Sequence, residues 1–280
     1  MLDMTLLEKL CCADGISGSE NEVRELILSE IRPFADKITV DNLGNILVFK
    51  KGKQIPDKKL LISAHMDEVG FIVTYITADG ELKFTSVGGV NDSAAFSKNV
   101  RIGENKIKGV VCCKPVHLLK GDEKKKNPPI DSLVVDIGAK DKAEAEQYVS
   151  IGDPVCFDSL YENRNGRIIS KAIDDRFGCL VLIEMLKSEL PYDMYFSFVV
   201  QEEIGLRGAR GAAYTLDPDY AIVVEATTAS DIPYAEEEKR VCSVGGGAVV
   251  SFMDRSTMYD KEFYRIAMGC AKELGIKAQT

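Results

Sequence analysis

Three apolar stretches of the chain run directly into side chains that can ligate a metal or move a proton. LLISA (60–64) ends in His65-Met66-Asp67, MYFSFVV (194–200) ends in Gln201-Glu202-Glu203, and YAIVV (220–224) ends in Glu225. Each stretch reads as a buried strand. In an open parallel sheet the ligand crevice lies at the carboxyl ends of the strands, so groups far apart in sequence would converge on one edge. A fourth group, Asp174-Asp175, precedes a helix expected to begin near Arg176. Aspartate there can serve as a helix cap as well as a ligand.

A histidine after an apolar run is ordinarily a hydrogen-bonded core residue, and paired glutamates ordinarily face solvent. Two carboxylates at the end of a buried strand cost stability unless something compensates, and a dication would. Mixed imidazole and carboxylate donors suit zinc, cobalt or manganese better than calcium or magnesium. In His65-x-Asp67 the two side chains of an extended segment point the same way. Asp67 can then accept a hydrogen bond from the ring nitrogen turned away from the metal, fixing the tautomer. Glu202 and Glu203 would face opposite ways on a regular strand, so the backbone must turn there to bring both to the site, one as ligand and one as base. Being neighbours, they are poorly placed for glycoside hydrolysis, which needs carboxyls about 5 to 9.5 Å apart across a sugar.

The elements that must position these groups are legible. Residues 1–50 read as helix, helix, hairpin: Ser19-Glu20-Asn21-Glu22 has the capping-box pattern before Val23, Leu26, Ile27 and Ile31, and Asp41 to Asn45 supplies a turn between KITV and ILVF. From about 70 to 165, short β-like runs (FIVTYI, VRI, KGVVC, SLVVDI, DPVCF) are separated by Gly, Asp, Asn and Pro, which predicts a small β-barrel or sandwich. Within it GDEKKKNPP (121–129) predicts a mobile loop. After 165 an α/β rhythm returns: a helix through FGCLVLIEMLKSEL, the strand before Glu202, a helix past Gly205, the strand before Glu225, a strand candidate at VVSFM, and a helix over 260–274 stopped by Gly275. Alternation at this spacing predicts a layered, mostly parallel α/β sheet flanked by helices. The expected organisation is one α/β domain from 1–69 plus 166–280, interrupted by a β-barrel insertion over 70–165.

Composition narrows the class. The chain has 280 residues, 45% hydrophobic and 28% charged, as in an ordinary soluble globular protein. Its net charge of −9 argues against a general nucleic-acid surface. No apolar run approaches the roughly 18 to 20 residues that span a bilayer. The N-terminal MLDMTLLEKL, with an early acid, does not read as a signal peptide. The eight cysteines form no C-x-x-C pair and several sit in apolar runs, so buried free thiols in a reducing cytoplasm are expected.

At these residues the sequence closely resembles the M42 metallopeptidases, the glutamyl and tetrahedral aminopeptidase group, some of whose members were once labelled endoglucanases. The matching strings are GISGSE (15–20), AHMDEVGF (64–71), KAIDDRFGC (171–179), VVQEEIGLRGA (199–209) and VVEATTASDIP (223–233), in the family's order and over nearly the whole chain. The resemblance implies a zinc-peptidase-like α/β domain with an inserted β-barrel dimerisation domain, self-associating from dimer up to a hollow dodecamer. It implies two divalent metal ions, zinc or cobalt, with Asp174 bridging them, His65 and Glu225 on one and Glu203 on the other. Glu202 would be the general base and Asp67 the partner of His65. The implied reaction is removal of N-terminal residues from peptides by a water activated between two metals.

The resemblance also implies a last ligand, a histidine beyond the 260–274 helix, and the sequence ends at Thr280 before one occurs. A truncated chain short of one ligand is therefore expected, with an inactive or single-metal member that folds and associates as the alternative. The other histidine, His117, lies in the β-rich stretch in a KP-x-H-L string that is not a ligand position in the family, and is assigned a loop or structural role.

Overall fold

The computed structural model describes residues 2–115 and 128–280. His117 and most of the 121–129 loop lie outside the described residues. The described residues fall into two compact units, Met1–Glu225 and Ala226–Thr280.

The first unit opens with α1 (Met4–Cys12) and α2 (Asn21–Ile31). Asp3 caps α1, its carboxylate accepting from the Thr5 and Leu6 N–H groups, and Leu6, Leu7, Leu10 and Cys11 form the buried face. The capping box expected at the start of α2 does not form. Glu20 occupies the cap position without a side-chain cap bond, its carboxylate being turned to the Gly18 N–H at 2.7 Å, and Glu22 accepts from the Asp14 N–H instead.

The hairpin β1 (Lys37–Val40) and β2 (Ile46–Lys50) then leads to β3 (Leu60–His65). The barrel comes next: β4 (Gly70–Ile76), β5 (Leu82–Val87), β6 (Asn99–Ile102), β7 (Ile107–Cys112), β8 (Val134–Asp136) and β9 (Pro154–Phe157), with one-turn helices α3 (Asp92–Ala95) and α4 (Lys142–Ala145) between strands. It closes in the order β4-β5-β8-β7-β6-β9, every neighbouring pair antiparallel, and closure leaves no sheet edge open. Phe71 fills its centre, packed on Phe84 and Phe157. β5 is absent from the runs legible in the sequence. Only Leu82 and Phe84 mark its inward face, between Lys83 and Thr85.

The small hairpin β10 (Glu162–Arg164) and β11 (Arg167–Ile169) precedes α5 (Ile173–Lys187), β12 (Met194–Val199), α6 (Arg207–Leu216) and β13 (Tyr220–Val223). The main sheet has the order β1-β2-β12-β3-β13. Its three site-bearing strands, β12, β3 and β13, are parallel, while the β1–β2 hairpin joins antiparallel. β13, expected to be buried, is instead exposed along its length, because it is an edge strand with β3 on one side only. Side chains alternate across the sheet. Ile46, Val48, Ile62, Ala64, Phe196 and Phe198 pack with α1, α2 and α5 on one face, and Leu47 and Val199 meet Ala212 of α6 on the other. Each fully buried large side chain contributes about 1.5–3 kcal/mol. This two-sided burial makes β3 a rigid platform for His65 and Asp67 at its carboxyl end.

In the second unit α7 (Lys261–Glu273) is capped by Asp260 and followed by Gly275 at φ +66, as expected. The strand candidate VVSFM is shorter than expected, a two-residue β14 (Ala248–Val249) that pairs in parallel with β15 (Ala278–Gln279).

Candidate metal centre

Register brings the three strand ends level. Val199 pairs with His65 and Val223 with Ser63, and the Val224 N–H continues the ladder to the Ser63 carbonyl. Glu225 lies two residues beyond Val223, whose partner Ser63 lies two residues before His65, so Glu225 comes level with His65. His65 sits on the central strand of the parallel trio, with its side chain 2% exposed.

The imidazole has two environments. Nε2 lies 2.9 Å from Asp174 Oδ1, 3.5 Å from Glu225 and 3.9 Å from Glu202. Nδ1 lies 3.1 Å from the Asp67 backbone carbonyl and 3.5 Å from its carboxylate. The closer partner that orients the ring is therefore Asp67's main chain. Its carboxylate is engaged elsewhere: it accepts from the Ser17 hydroxyl at 2.5 Å, the Glu202 N–H at 3.0 Å and the Glu203 N–H at 3.1 Å.

Those two N–H bonds explain how adjacent glutamates reach one site. β12 ends at Val199, Gln201 takes a left-handed conformation (φ 55), and Asp67 then caps the next two N–H groups. With the strand alternation broken, both carboxylates gather near His65. Donor atoms of His65, Glu202 and Glu203 lie within 4.8 Å of one another, as do those of His65, Asp174 and Glu225.

The two aspartates at the start of α5 divide the roles that sequence left open. Both have non-helical φ/ψ, and the peptide between them is cis. Asp175 is fully buried and does the capping: Oδ1 accepts from the Gly178 N–H at 3.0 Å, three residues on, while Oδ2 accepts from the His65 N–H at 3.2 Å. Asp174 turns the other way, to His65 Nε2.

Electrostatically the cluster is dominated by carboxylates. Burial, then repulsion from Asp174, raises the Glu203 carboxyl to about 7. Burial also raises Glu202, with Glu225, Asp67 and Asp174 adding to it. Burial lifts Asp175 to about 8, with repulsion from Glu225. Desolvation opposes charge on His65, but hydrogen bonds with Asp174, Asp67 and Glu225 outweigh it and push its pKa far up. The leading influences on Asp174, Glu202 and Glu203 are burial, one another, neighbouring acids and His65. That donor set, one imidazole among four carboxylates, fits divalent cations. The floor of the site, His65 and Asp67, is buried, while the side chains of Asp174, Glu225 and Glu202 are 58%, 39% and 28% exposed.

A further acidic cluster, Asp14, Glu68 and Cys156, does not share this character. Lys171 pairs with Asp14 at 3.1 Å and with Glu68 at 2.7 Å, Arg101 pairs with Asp14, and burial pushes the Cys156 thiol up to about 12. It is an ion-pair hub joining the barrel strand β6 to the α1–α2 turn.

Three residues that support the site escape a motif-by-motif reading: Ser17, Glu20 and Arg176. Ser17 and Glu20 lie in GISGSE, where the signal available was helix capping. Arg176 follows the two aspartates and is 0% exposed, which no charge pattern in the sequence announces.

Comparison with known proteins identifies the family and the fold. Residues 44–280 match the family described as M42 glutamyl aminopeptidase. A relative in Acetivibrio thermocellus, provisionally named an aminopeptidase, is 38% identical over 98% of this chain and 80% of its own length. The crystal structure of a TET aminopeptidase from a marine-sediment member of the Thaumarchaeota superposes with a TM-score of 0.93 at 35% identity, covering 99% of this chain and 79% of that one. The Pyrococcus horikoshii TET1 peptidase, which can assemble into a tetrahedron or a large octahedral shell, is similar at 34% identity and a TM-score of 0.85, over 99% and 83% of the two chains. The fold is that of an α/β peptidase, and the family match implies use of divalent metal. The chain belongs to the M42 peptidase family, whose activity is that of an aminopeptidase.

Proposed function

We propose that this chain removes N-terminal residues from peptides with two divalent cations and Glu202 as general base. The observation that carries the reading is the convergence of His65, Asp174, Glu202, Glu203 and Glu225 at the carboxyl ends of three parallel strands. His65, Asp174 and Glu225 would hold one cation and Glu203 a second, with Asp174 shared. Bound there, the cations would supply Lewis-acid polarisation of the scissile carbonyl and acidify a water.

The chain's own residues account for the rest. Glu202 sits at the partly open rim, its carboxyl raised by burial and by the charges of Glu225, Asp67 and Asp174, and a carboxylate there can serve as general base. It takes the proton of the attacking water and returns it to the leaving amine. Asp67 holds the Glu202 and Glu203 backbone so that base and ligand keep their spacing. Zinc and cobalt are the proposed metals, as the family resemblance implies; the donor types by themselves admit manganese as well. Self-association through the β-barrel, in the manner of the TET assemblies, belongs to the same proposal. So does a cytoplasmic location, supported by eight free thiols, four of them buried; among the described residues no helix is long and apolar enough to cross a membrane.

The test is hydrolysis of a panel of aminoacyl-p-nitroanilides with added zinc or cobalt. Glu202→Gln should lower kcat by about 10²–10⁴-fold while metal content measured by mass spectrometry stays at the wild-type value. A Glu202→Gln protein as fast as wild type, or a wild-type protein inert on every anilide with either metal, refutes the assignment.

A further inference from the structure

Three consecutive backbone N–H groups carry the turn that delivers Glu202 and Glu203, and each ends on a buried carboxylate. Gln201 N–H donates to Glu20 Oε1 at 3.3 Å, Glu202 N–H to Asp67 Oδ1 at 3.0 Å, and Glu203 N–H to Asp67 Oδ2 at 3.1 Å. Glu20 is 3% exposed and Asp67 0%. Asp67 Oδ2 also accepts the Ser17 hydroxyl at 2.5 Å, so the α1–α2 turn touches the Glu202–Glu203 segment twice, through Glu20 directly and through Ser17 by way of Asp67.

That turn is itself held rigidly. Ser17 N–H donates to the Glu68 carbonyl and Glu68 N–H to the Gly15 carbonyl, an isolated parallel bridge one residue past Asp67. Arg176 donates to the Gly15 carbonyl at 3.4 Å and to the Met66 carbonyl at 2.8 Å, tying the turn to the same strand end. Gly15 has no room for a side chain: a Cβ there would lie 2.7 Å from Val23 Cγ2 and 2.9 Å from Arg176 Nη2. A hydroxyl so placed has one acceptor to serve. It fixes the rotamer of a carboxylate whose two oxygens must each meet a different N–H.

We propose that Ser17 is a positioning residue of the reaction, locking Asp67 so that Asp67 in turn sets the spacing of Glu202 and Glu203, with Glu20 anchoring the preceding Gln201 N–H. The inference rests on Glu202 and Glu203 being the base and a ligand, as proposed above.

Amide hydrogen exchange by mass spectrometry separates the two ideas, because it reads the backbone whether or not the enzyme turns over. In Ser17→Ala, exchange of the segment 201–203 should accelerate by about tenfold or more, with the barrel strands unchanged. On an aminoacyl-anilide kcat should fall by about 10–100-fold, with KM within about twofold. Ser17→Thr, which keeps the hydroxyl, should restore both. Ser197→Ala removes another buried hydroxyl bond, to Ser63 Oγ at 2.9 Å, and should leave exchange at 201–203 and kcat at wild-type values. Should the alanine variant not fold, Ser17→Cys, a weak donor, is compared with Ser17→Thr by the same exchange measurement.

Unchanged exchange at 201–203 overturns the proposal, as does faster exchange spread evenly over the chain, or a Ser17→Thr protein as impaired as Ser17→Ala. A wild-type protein without turnover refutes the function above, and the exchange data still decide the role of Ser17.

Discussion

Replacing Arg176 by lysine keeps a cation in the core and removes the guanidinium fork. The side chain is 0% exposed and uses its full donor set: Nε to the Met66 carbonyl at 2.8 Å, Nη1 to the carbonyls of Leu10 and Ala13 at 2.5 and 3.2 Å, and Nη2 to the Gly15 carbonyl and Glu68 Oε1, both at 3.4 Å. A guanidinium has five N–H donors and an ammonium three, so lysine gives up at least two of these bonds; the Gly15 carbonyl and Glu68 Oε1 keep other donors, the Glu68 N–H and the Lys171 ammonium. A hydrogen bond to a charged group is worth about 1.5–3 kcal/mol, which puts the loss of two at about 3–6 kcal/mol. For a unit of this size each kcal/mol lowers Tm by roughly 2–4 °C, so the fall should be at least about 6 °C. Urea unfolding monitored by circular dichroism and a thermal melt measure it in the metal-free protein. Arg164→Lys is the control, because the Arg164–Glu162 pair has side-chain exposures of 69% and 45% and should change stability by under about 0.5 kcal/mol. If Arg176→Lys melts within about 2 °C of wild type, the remaining carbonyls have found other donors and the fork is not required.

Two further outcomes concern the cradle. The raised carboxyls of Glu203 (about 7) and Asp175 (about 8) keep protons in the folded, metal-free state that the unfolded chain releases at ordinary carboxylate values. The folded state then binds more protons, so metal-free stability should fall as pH rises from about 4.5; the carboxyl part of that slope ends near pH 8, and His65, whose pKa is pushed far up, keeps the slope negative beyond it. Glu203→Gln should flatten the part of that slope ending near pH 7, and a Tm series from about pH 4.5 to 9 that shows no such flattening contradicts the assignment. Zinc or cobalt at about 100 times its dissociation constant should stabilise wild type by about 2.7 kcal/mol, reversed by a chelator. Asp174→Ala should lose most of that gain, and calorimetric melts with and without metal measure both.

The strand ends at His65, Glu202-Glu203 and Glu225, and the helix after Asp175, were legible because each strong local signal agrees with its surroundings. An apolar run of strand length closes on a polar group, and tertiary contacts have no reason to override it. The helices α1, α5 and α7 were legible for the same reason. Where two local solutions have similar energy, sequence points the wrong way or not at all. The Ser-x-x-Glu spacing from Ser19 to Glu22 is a good local capping pattern. Glu20 nevertheless takes the cap position, and its carboxylate accepts from Gly18 and from Gln201, the latter far along the chain. β5 carries too few apolar residues to announce itself, and becomes a strand because β4 and β8 supply its partners.

Sequence by itself determined which residue types could do chemistry here and on which elements they stand, since hydrophobic periodicity and the order of motifs are properties of the chain alone. Tertiary structure decided the assignments among neighbours. It made Asp175 the cap and turned Asp174 to His65. It gave the orienting contact on His65 to the Asp67 main chain, and committed the Asp67 carboxylate to Ser17 and to two backbone N–H groups. The physical reason is that each such choice is settled by donors and acceptors brought together from distant parts of the chain inside a buried volume, where leaving any one of them unpaired costs more than a local preference is worth.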